Sequence, residues 1–311
     1  GVLFGGRSGE HEVSLMSARS ILRVLDPNRY EITQIGIRHD GTWWSGLDVL
    51  DNFERGSIQG LYRVALLPEP GKAILYRREL KGQIEEFSAI TALDVVFPVL
   101  HGTFGEDGTL QGFLEMADLA YVGAGVLGSS VGMDKGLFKD VMRANSIPVV
   151  DWLICSRNEI ADNLDSILLR AEKISPYPLF VKPANLGSSV GISKCKCRSD
   201  LVEGVLEASR YDRRILIEKG VDAREIEISV LGNEKAKVSL PGEILPSDEF
   251  YSYRAKYLDG KSELIIPAQL EPALIHQIQD TAFKVYRAID CAGMARVDFL
   301  LEKVTNQLFV N

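Results

Sequence analysis

The segment Val95-Val-Phe-Pro-Val-Leu100, entered from Asp94, is apolar without interruption and runs directly into His101-Gly-Thr-Phe-Gly-Glu-Asp-Gly108. A strand with no polar alternation must be covered on both faces, which is the situation of a central parallel strand. Upstream, Val2-Leu-Phe4 reads as a strand and Gly5-Gly-Arg-Ser8 as a turn. A helix follows from Glu10, with Val13, Met16, Ile21 and Leu25 as its apolar stripe. Ser8 is the expected N-cap, and Glu10 and Glu12 fall in the first turn, where acids suit the helix dipole. Tyr30–Ile37 is the next expected strand, then a turn at Asp40-Gly41. Residues 46–90 read as irregular, with short strands near Ala73–Tyr76 and Gln83–Phe87. Alternating strands and helices predict a doubly wound α/β domain whose ligands gather at the carboxyl ends of its strands.

From Lys135 the pattern changes. Helices are expected at Lys135–Asn145, about 158–174 and about 271–290, the last with Pro272 in its first turn. Strands are expected at Asp151–Cys155, Tyr177–Val181, Ile215–Lys219, Ile226–Leu231, Ala295–Leu301 and Leu308–Val310, and a long polar and aromatic loop at Pro246–Lys261. A chain of 311 residues suits two or three domains. A net charge of −8 argues against nucleic acid and an anionic membrane surface as partners. No apolar run approaches the roughly 20 residues that span a bilayer. The cysteines at 155, 195, 197 and 291 show neither zinc spacing nor a disulfide framework and read as reduced thiols of a cytoplasmic protein.

The chemistry centres on Val181-Lys-Pro-Ala-Asn-Leu-Gly-Ser-Ser-Val-Gly191. A lysine on a strand precedes a Gly-Ser-Ser turn whose amides and hydroxyls can wrap phosphate oxygens. The order is not that of a P-loop, and a plain turn is the alternative. Glu218-Lys219 closes a strand and can read an adenine or ribose edge; an exposed strand terminus is the rival. Arg296 and Asp298 alternate along a strand and so share a face, either in a site or as a buried structural ion pair. Asp298 suits Mg²⁺, a hard ion. His101 stands at the carboxyl end of a strand. Tyr251-Ser-Tyr-Arg-Ala-Lys-Tyr257 reads as a lid over a phosphate-bearing site or as a packed Ω-loop. His11, His39 and His276 are given no role.

Taken in order, Phe4–Ser14, Leu100–Thr109, Met133-Asp-Lys135, Val181–Gly191, Leu216–Lys219, Glu249–Tyr257 and Ala295–Asp298 closely resemble the D-alanine–D-alanine ligases of the ATP-grasp superfamily. The resemblance covers essentially the whole chain. It implies an α/β fold, α+β in part, of three domains: 1–134 (substrate), 135–225 (central) and 226–311 (C-terminal, with the lid), with ATP held between the second and third. It implies Lys135 and Lys182 at the phosphates, Ser188 and Ser189 in the phosphate loop, and Glu218, Lys219 and Glu225 near adenine and ribose. Glu10 would bind the ammonium of the first D-alanine and His101 would sit near its carboxylate. Arg296 would stabilise the phosphoryl group and oxyanion, and Lys256 would reach the transferred phosphate. Ser188 and Tyr257 would link with Glu10 to hold the lid shut. Asp298 would hold Mg²⁺, with Mn²⁺ as a substitute. A homodimer is a further family expectation. The lid tyrosine, Tyr257, goes with dipeptide rather than D-lactate ester formation.

In the family the motif at Phe309-Val-Asn311 continues with a metal-binding Glu, an Asn ligand and a Pro-Gly loop, whereas this chain stops at Asn311. The sequence reading therefore expects a chain incomplete at both ends. The alternatives are a D-alanine–D-lactate or D-alanine–D-serine ligase, or a non-catalytic nucleotide-binding relative lacking those ligands. A Rossmann dehydrogenase is poorly supported, because Gly5-Gly-Arg-Ser-Gly9 is not G-x-G-x-x-G.

Overall fold

Strand β1 (Val2–Gly5) is buried along its whole length and pairs in parallel on both sides, with β2 (Gln34–Ile37) and β7 (Phe97–Val99). The computed structural model describes residues 1–187, 189–245 and 263–311. These fall into two compact units, Gly1–Ser130 and Val131–Asn311. In the first, β3 (Trp43–Gly46), β4 (Leu61–Leu66), β5 (Ile74–Lys81) and β6 (Ile84–Ala92) extend the sheet in antiparallel fashion to the order β6-β5-β4-β3-β2-β1-β7.

Side chains of β1 alternate between two cores, as the period of a strand requires. Val2 and Phe4 pack with Leu15 and Ala18 of α1 (His11–Val24) and with Val49 and Phe53 of α2 (Val49–Glu54). Leu3 faces the other way, with Ile35, Leu75 and the Leu110 and Leu114 side chains of α3 (Thr109–Met116). Helices thus cover both faces of the parallel part of the sheet.

Four local expectations are corrected. The apolar run at 95–100 contributes only three residues to a strand at the end of the named sheet order. Pro98 has no N–H to give a second ladder, and on that side a single parallel bridge, Val96 with Tyr121, takes over. The strand expected at Tyr30–Ile37 is only Gln34–Ile37. Residues 46–90 are mostly regular: α2, β4 and the long β5–β6 hairpin, whose exposed charges pair across strands (Lys81 Nζ–Glu86 Oε2 2.6 Å; Arg78 with Glu85). The buried face of α1 is His11, Ser14, Leu15 and Ala18, while Met16 points to solvent.

Helix α4 (Val126–Met133) begins within the first unit and leads into α5 (Lys135–Ala144) of the second, which starts where Asp134 caps it by accepting from the Leu137 N–H at 2.9 Å. Such a cap stabilises by about 1 kcal/mol. A four-stranded antiparallel sheet has the order β10 (Ser193–Cys195), β9 (Leu179–Pro183), β11 (Arg214–Lys219), β8 (Trp152–Ser156). Its core is shared with α6 (Arg157–Ala171) and α7 (Arg198–Tyr211), through Ile167, Val181, Leu201 and Ile217. Ser156 and Glu159 form a capping box on α6.

The other sheet runs β15 (Glu263–Ile265), β14 (Gly242–Leu245), β12 (Ala223–Leu231), β16 (Met294–Glu302), β17 (Leu308–Val310), with β13 (Lys237–Val238) on β12. Ile278 and Tyr286 of α8 (Pro272–Ala288) and Met142 of α5 pack on its Ile226, Val297 and Phe299. Pro272 occupies the first turn of α8 as expected. Glu225, the expected last residue of the central domain, lies within β12. No described helix is long and apolar enough to cross a membrane.

Candidate active site

In the first unit the loop after β7 is braced by its own polar groups. The Gly102 N–H donates to Glu106 Oε2 (2.7 Å) and the Phe104 N–H to Asp107 Oδ2 (2.9 Å). Ser8 is not the cap of α1. Its Oγ donates to the His101 carbonyl (2.6 Å) and accepts the Glu10 N–H (3.2 Å), tying the two glycine-rich segments together, while Glu10 itself stands at the N-cap position. His101 Nε2 lies 2.8 Å from Ser17 Oγ and its Nδ1 3.6 Å from Glu106 Oε1. Glu10 is buried, and its carboxylate lies so close to Gly102 that a Cβ there would sit 2.4 Å from Oε2. Gly102 also has φ +70°, so a side chain would be strained by backbone as well as by contact. Ser8 and Gly102 therefore bring the segments of Glu10 and His101 together at the carboxyl end of the parallel strands. A buried carboxylate there can take an ammonium, and the imidazole of the adjoining segment can take a carboxylate.

In the second unit the glycine-rich loop springs from β9 and is held at its base. The Lys135 N–H donates to the Ala184 carbonyl (2.9 Å), Lys135 Nζ to the Leu186 carbonyl (2.5 Å) and the Asn185 N–H to Asp212 Oδ2 (2.7 Å). Arg214 Nη1 clamps Asp134 Oδ2 at 2.6 Å. Ser189 takes a left-handed φ of +59°, and Gly191 has φ +69° with Tyr211 and Pro183 too close to admit a Cβ. Two amides and a lysine thus fix the base of this loop, and side-chain packing of Tyr211 and Pro183 fixes its far end at Gly191.

Lys182, Glu218 and Lys139 form one cluster behind it. Glu218 is 2 % exposed, which removes the exposed-terminus reading. One carboxylate oxygen bonds Lys182 Nζ; the other lies 3.0 Å from Lys139 Nζ. Burial alone would raise the Glu218 pKa, but the ammonium groups of Lys139 and Lys182 outweigh it and hold the carboxyl at about 2. Lys139, 3 % exposed, has its own pKa lowered by desolvation, against the attraction of Glu218. Lys182 also reaches Asn311 Oδ1 at 3.4 Å. The Lys219 N–H donates to the Asp151 carbonyl (3.0 Å), and Glu225 stands half-buried on β12 between Ile244 and Leu300.

On β16, Arg296 and Asp298 do share a face. Arg296 Nε and Nη2 donate to the two Asp298 oxygens at 2.7 and 2.8 Å, and Nη2 lies 3.3 Å from Glu227 Oε1 on β12. The side chains are 54 % and 36 % exposed, so this is no buried structural ion pair. Asp298 is a hard-oxygen donor, yet no group of three or more His, Cys, Asp or Glu side chains able to hold a metal occurs among the described residues. Ser188, Lys256 and Tyr257 lie outside the described residues.

Sequence reasoning missed Lys139, Ser17 and Glu227. For Lys139 a signal existed, since it shares a three-residue spacing with Gly136 and Met142, the buried stripe of α5. All four cysteines are free thiols, and burial pushes those of Cys155 and Cys195 up to about 12, away from reactivity.

Two family models match: D-ala D-ala ligase N-terminus over residues 1–124 and D-ala D-ala ligase C-terminus over 141–311. The chain belongs to the D-alanine–D-alanine ligase family. It is 48 % identical to the D-alanine–D-alanine ligase of Natranaerobius thermophilus, covering 100 % of this chain and 84 % of that one. To the enzyme of Heliobacterium modesticaldum it is 46 % identical, covering 100 % and 83 %. Among solved structures it superposes on the D-alanine–D-alanine ligase of Coxiella burnetii with a TM-score of 0.80 at 36 % identity, over 100 % and 82 % of the two chains. On the VanG D-Ala:D-Ser ligase of Enterococcus faecalis the TM-score is 0.86 at 30 % identity, over 100 % and 88 %. The fold is that of the ATP-grasp enzymes, and the family is one of ATP-dependent ligases acting on small molecules.

Proposed function

We propose that this chain joins two D-alanines at the expense of ATP, giving D-alanyl-D-alanine, ADP and phosphate for peptidoglycan precursor synthesis in the cytoplasm. The observation that carries this reading is high identity along the whole chain to D-alanine–D-alanine ligases, supported by the Ser8 bridge that ties the Glu10 and His101 segments together and by the pairing of Lys182 with Glu218. The carboxylate oxygen of the first D-alanine attacks the γ-phosphorus and ADP leaves. The amine of the second attacks the acyl carbon, loses a proton, and phosphate departs as the amide forms.

Each residue has a physical task. Glu10 takes the ammonium of the first D-alanine and His101 stands by its carboxylate, fixing the attacking oxygen. Lys135, Lys182 and the amides of the loop at Ser188 and Ser189 hold phosphates. Glu218, Lys219 and Glu225 hold the adenosine part of ATP between the central and C-terminal domains. Arg296 releases Asp298 to meet the transferred phosphoryl group and the oxyanion. Lys256, Tyr257 and Ser188 complete the closed lid, and Tyr257 favours an amine over a hydroxyl acceptor. Asp298 offers one hard oxygen ligand, the donor type that Mg²⁺ or Mn²⁺ accepts alongside substrate phosphates; the ion would neutralise phosphate charge. The domain boundaries expected at 1–134, 135–225 and 226–311 fit these tasks once the second is placed before β12, since Glu225 lies inside that strand. A homodimer is part of the same proposal.

The test is phosphate release with ATP and Mg²⁺ in the presence of D-alanine, L-alanine, or D-alanine with D-serine or D-lactate, with products separated. Release with D-alanine alone and a D-alanyl-D-alanine peak supports the reading. A mixed product made in preference would move the acceptor to D-serine or D-lactate. Nucleotide binding without release under any condition would make the chain a non-catalytic binder.

A further inference from the structure

Lys139 carries no task in the reaction above, yet its ammonium is one of the most deeply buried charges among the described residues. It reaches Glu218 from α5 while Lys182 reaches the same carboxylate from β9. Lys182 is the more open of the two lysines, with a 12 % exposed side chain against 4 %. At 3.0 Å the alignment of Lys139 Nζ with Glu218 Oε2 is poor for a hydrogen bond, so the contact acts mainly through charge. Arg143 lies over the same Trp152 ring that Lys139 approaches, 3.8 Å and 5.8 Å from its centroid, and this further cation is matched by the Asp151 carboxylate, whose charge also acts on Lys139.

The sum of the cluster decides what it can hold. Glu218 and Lys182 alone make a neutral pair, whose ammonium is spent on its own carboxylate. With Lys139 on the other oxygen, two cations share one anion and the cluster keeps a net charge of +1. We propose that Lys139 is a positioning residue that keeps the Lys182–Glu218 pair cationic, so that Lys182 can serve a nucleotide phosphate while Glu218 stays ionised. The inference rests on the nucleotide-site reading given above, and extends it to a residue that touches neither substrate nor reacting atoms in that reading.

Burial of this lysine is costly, as the lowering of its pKa by desolvation indicates. Replacing one member of a buried charge cluster by an apolar side chain of like volume is often neutral or stabilising when the remaining charges still pair. Lys139→Met leaves Glu218 with Lys182 and is therefore expected to keep or raise Tm. A merely structural lysine would lower it.

The experiment measures binding of ATP and of adenosine to the full chain by calorimetry, without D-alanine, for the unmodified protein, Lys139→Met and Lys139→Met/Glu218→Gln. Adenosine has no phosphate, so the ratio of the two affinities reports the charge offered to the phosphates. In Lys139→Met the preference for ATP over adenosine should fall at least about tenfold, the size expected for one unit charge about 12 Å from another at an effective dielectric near 20. The double variant returns the cluster to +1 and should recover the preference, whatever Glu218→Gln does to adenosine. An unchanged ratio in Lys139→Met with Tm held would overturn the proposal. Should that variant not fold, Glu218→Gln against the double variant decides, because loss of Lys139 there takes the cluster from +2 to +1 and the ratio must drop. Binding needs no turnover. A charge-dependent ratio without D-alanine-driven phosphate release would thus sink the ligase reading and leave this proposal standing, and the converse result would do the opposite.

Discussion

Two three-charge clusters stand in the same unit and differ in sign and in shelter. Lys139, Glu218 and Lys182 are sealed between α5, β9 and β11 and sum to +1. Glu227, Arg296 and Asp298 lie across β12 and β16, largely open, and sum to −1. In the first, burial forbids rearrangement, because an unpaired ion there would cost several kcal/mol. In the second, solvent screens the pair, so the bidentate Arg296–Asp298 bond is worth about 1 kcal/mol or less and can be exchanged for other partners. A fixed cationic cluster suits the steady holding of an anion. An exchangeable anionic one suits a cation and a guanidinium that must change partners as charge moves.

Breaking the buried cluster should give the largest effect. Glu218→Gln leaves two buried lysines without their anion and should cost about 3–5 kcal/mol in denaturant unfolding. The same carboxyl sets an acid limit. Its folded pKa of about 2 lies below the ordinary 4.5, so its contribution is fully present above about 4.5 and drains away as pH falls toward 2. Glu218→Gln should therefore lose least, relative to the unmodified protein, at the acid end of that window; a gap between the two that stayed constant from pH 5 to pH 2.5 would contradict the assigned ionisation.

Breaking the open cluster should spare stability and hit turnover. Arg296→Ala is expected to lower kcat by about 10²–10³, the usual effect of losing one donor to a developing oxyanion, while Tm moves by little and nucleotide affinity is largely kept. Loss of nucleotide binding in a folded Arg296→Ala protein would contradict its task. The smallest effect is expected outside both clusters, in the first unit. Gly102→Ala forces a Cβ against Glu10 at a left-handed backbone and should cost about 1–3 kcal/mol. It should also raise KM for D-alanine more than KM for ATP; equal changes in the two would detach Glu10 from the amino-acid substrate.

Arg296 and Asp298 of the open cluster were legible in the sequence because they alternate on one strand, and a period of two is visible without a structure; Glu227, on the facing strand β12, was not. The sheltered one was half legible. Lys182 announced itself beside the glycine-rich loop, but Glu218 alone looked like a strand end, and the three-residue spacing that buries Lys139 with Gly136 and Met142 does not say what it meets. Their meeting depends on how β9, β11 and α5 come together, which no local period encodes. Helix starts were readable where chemistry marks them, as at Pro272. Ser8 misled because its hydroxyl serves the His101 carbonyl, 93 residues away, instead of the helix next to it. The β5–β6 hairpin was read in part, as short strands near Ala73–Tyr76 and Gln83–Phe87, but its length was hidden because the exposed β6 has no apolar face to show.

The most direct test of the account follows oxygen. D-Alanine labelled with ¹⁸O in its carboxylate is turned over with ATP and Mg²⁺, and the phosphate and nucleotide products are analysed by mass. Carboxylate attack on the γ-phosphorus predicts one ¹⁸O in inorganic phosphate and none in ADP. Unlabelled phosphate, or label carried on the α-phosphate of AMP, would contradict it.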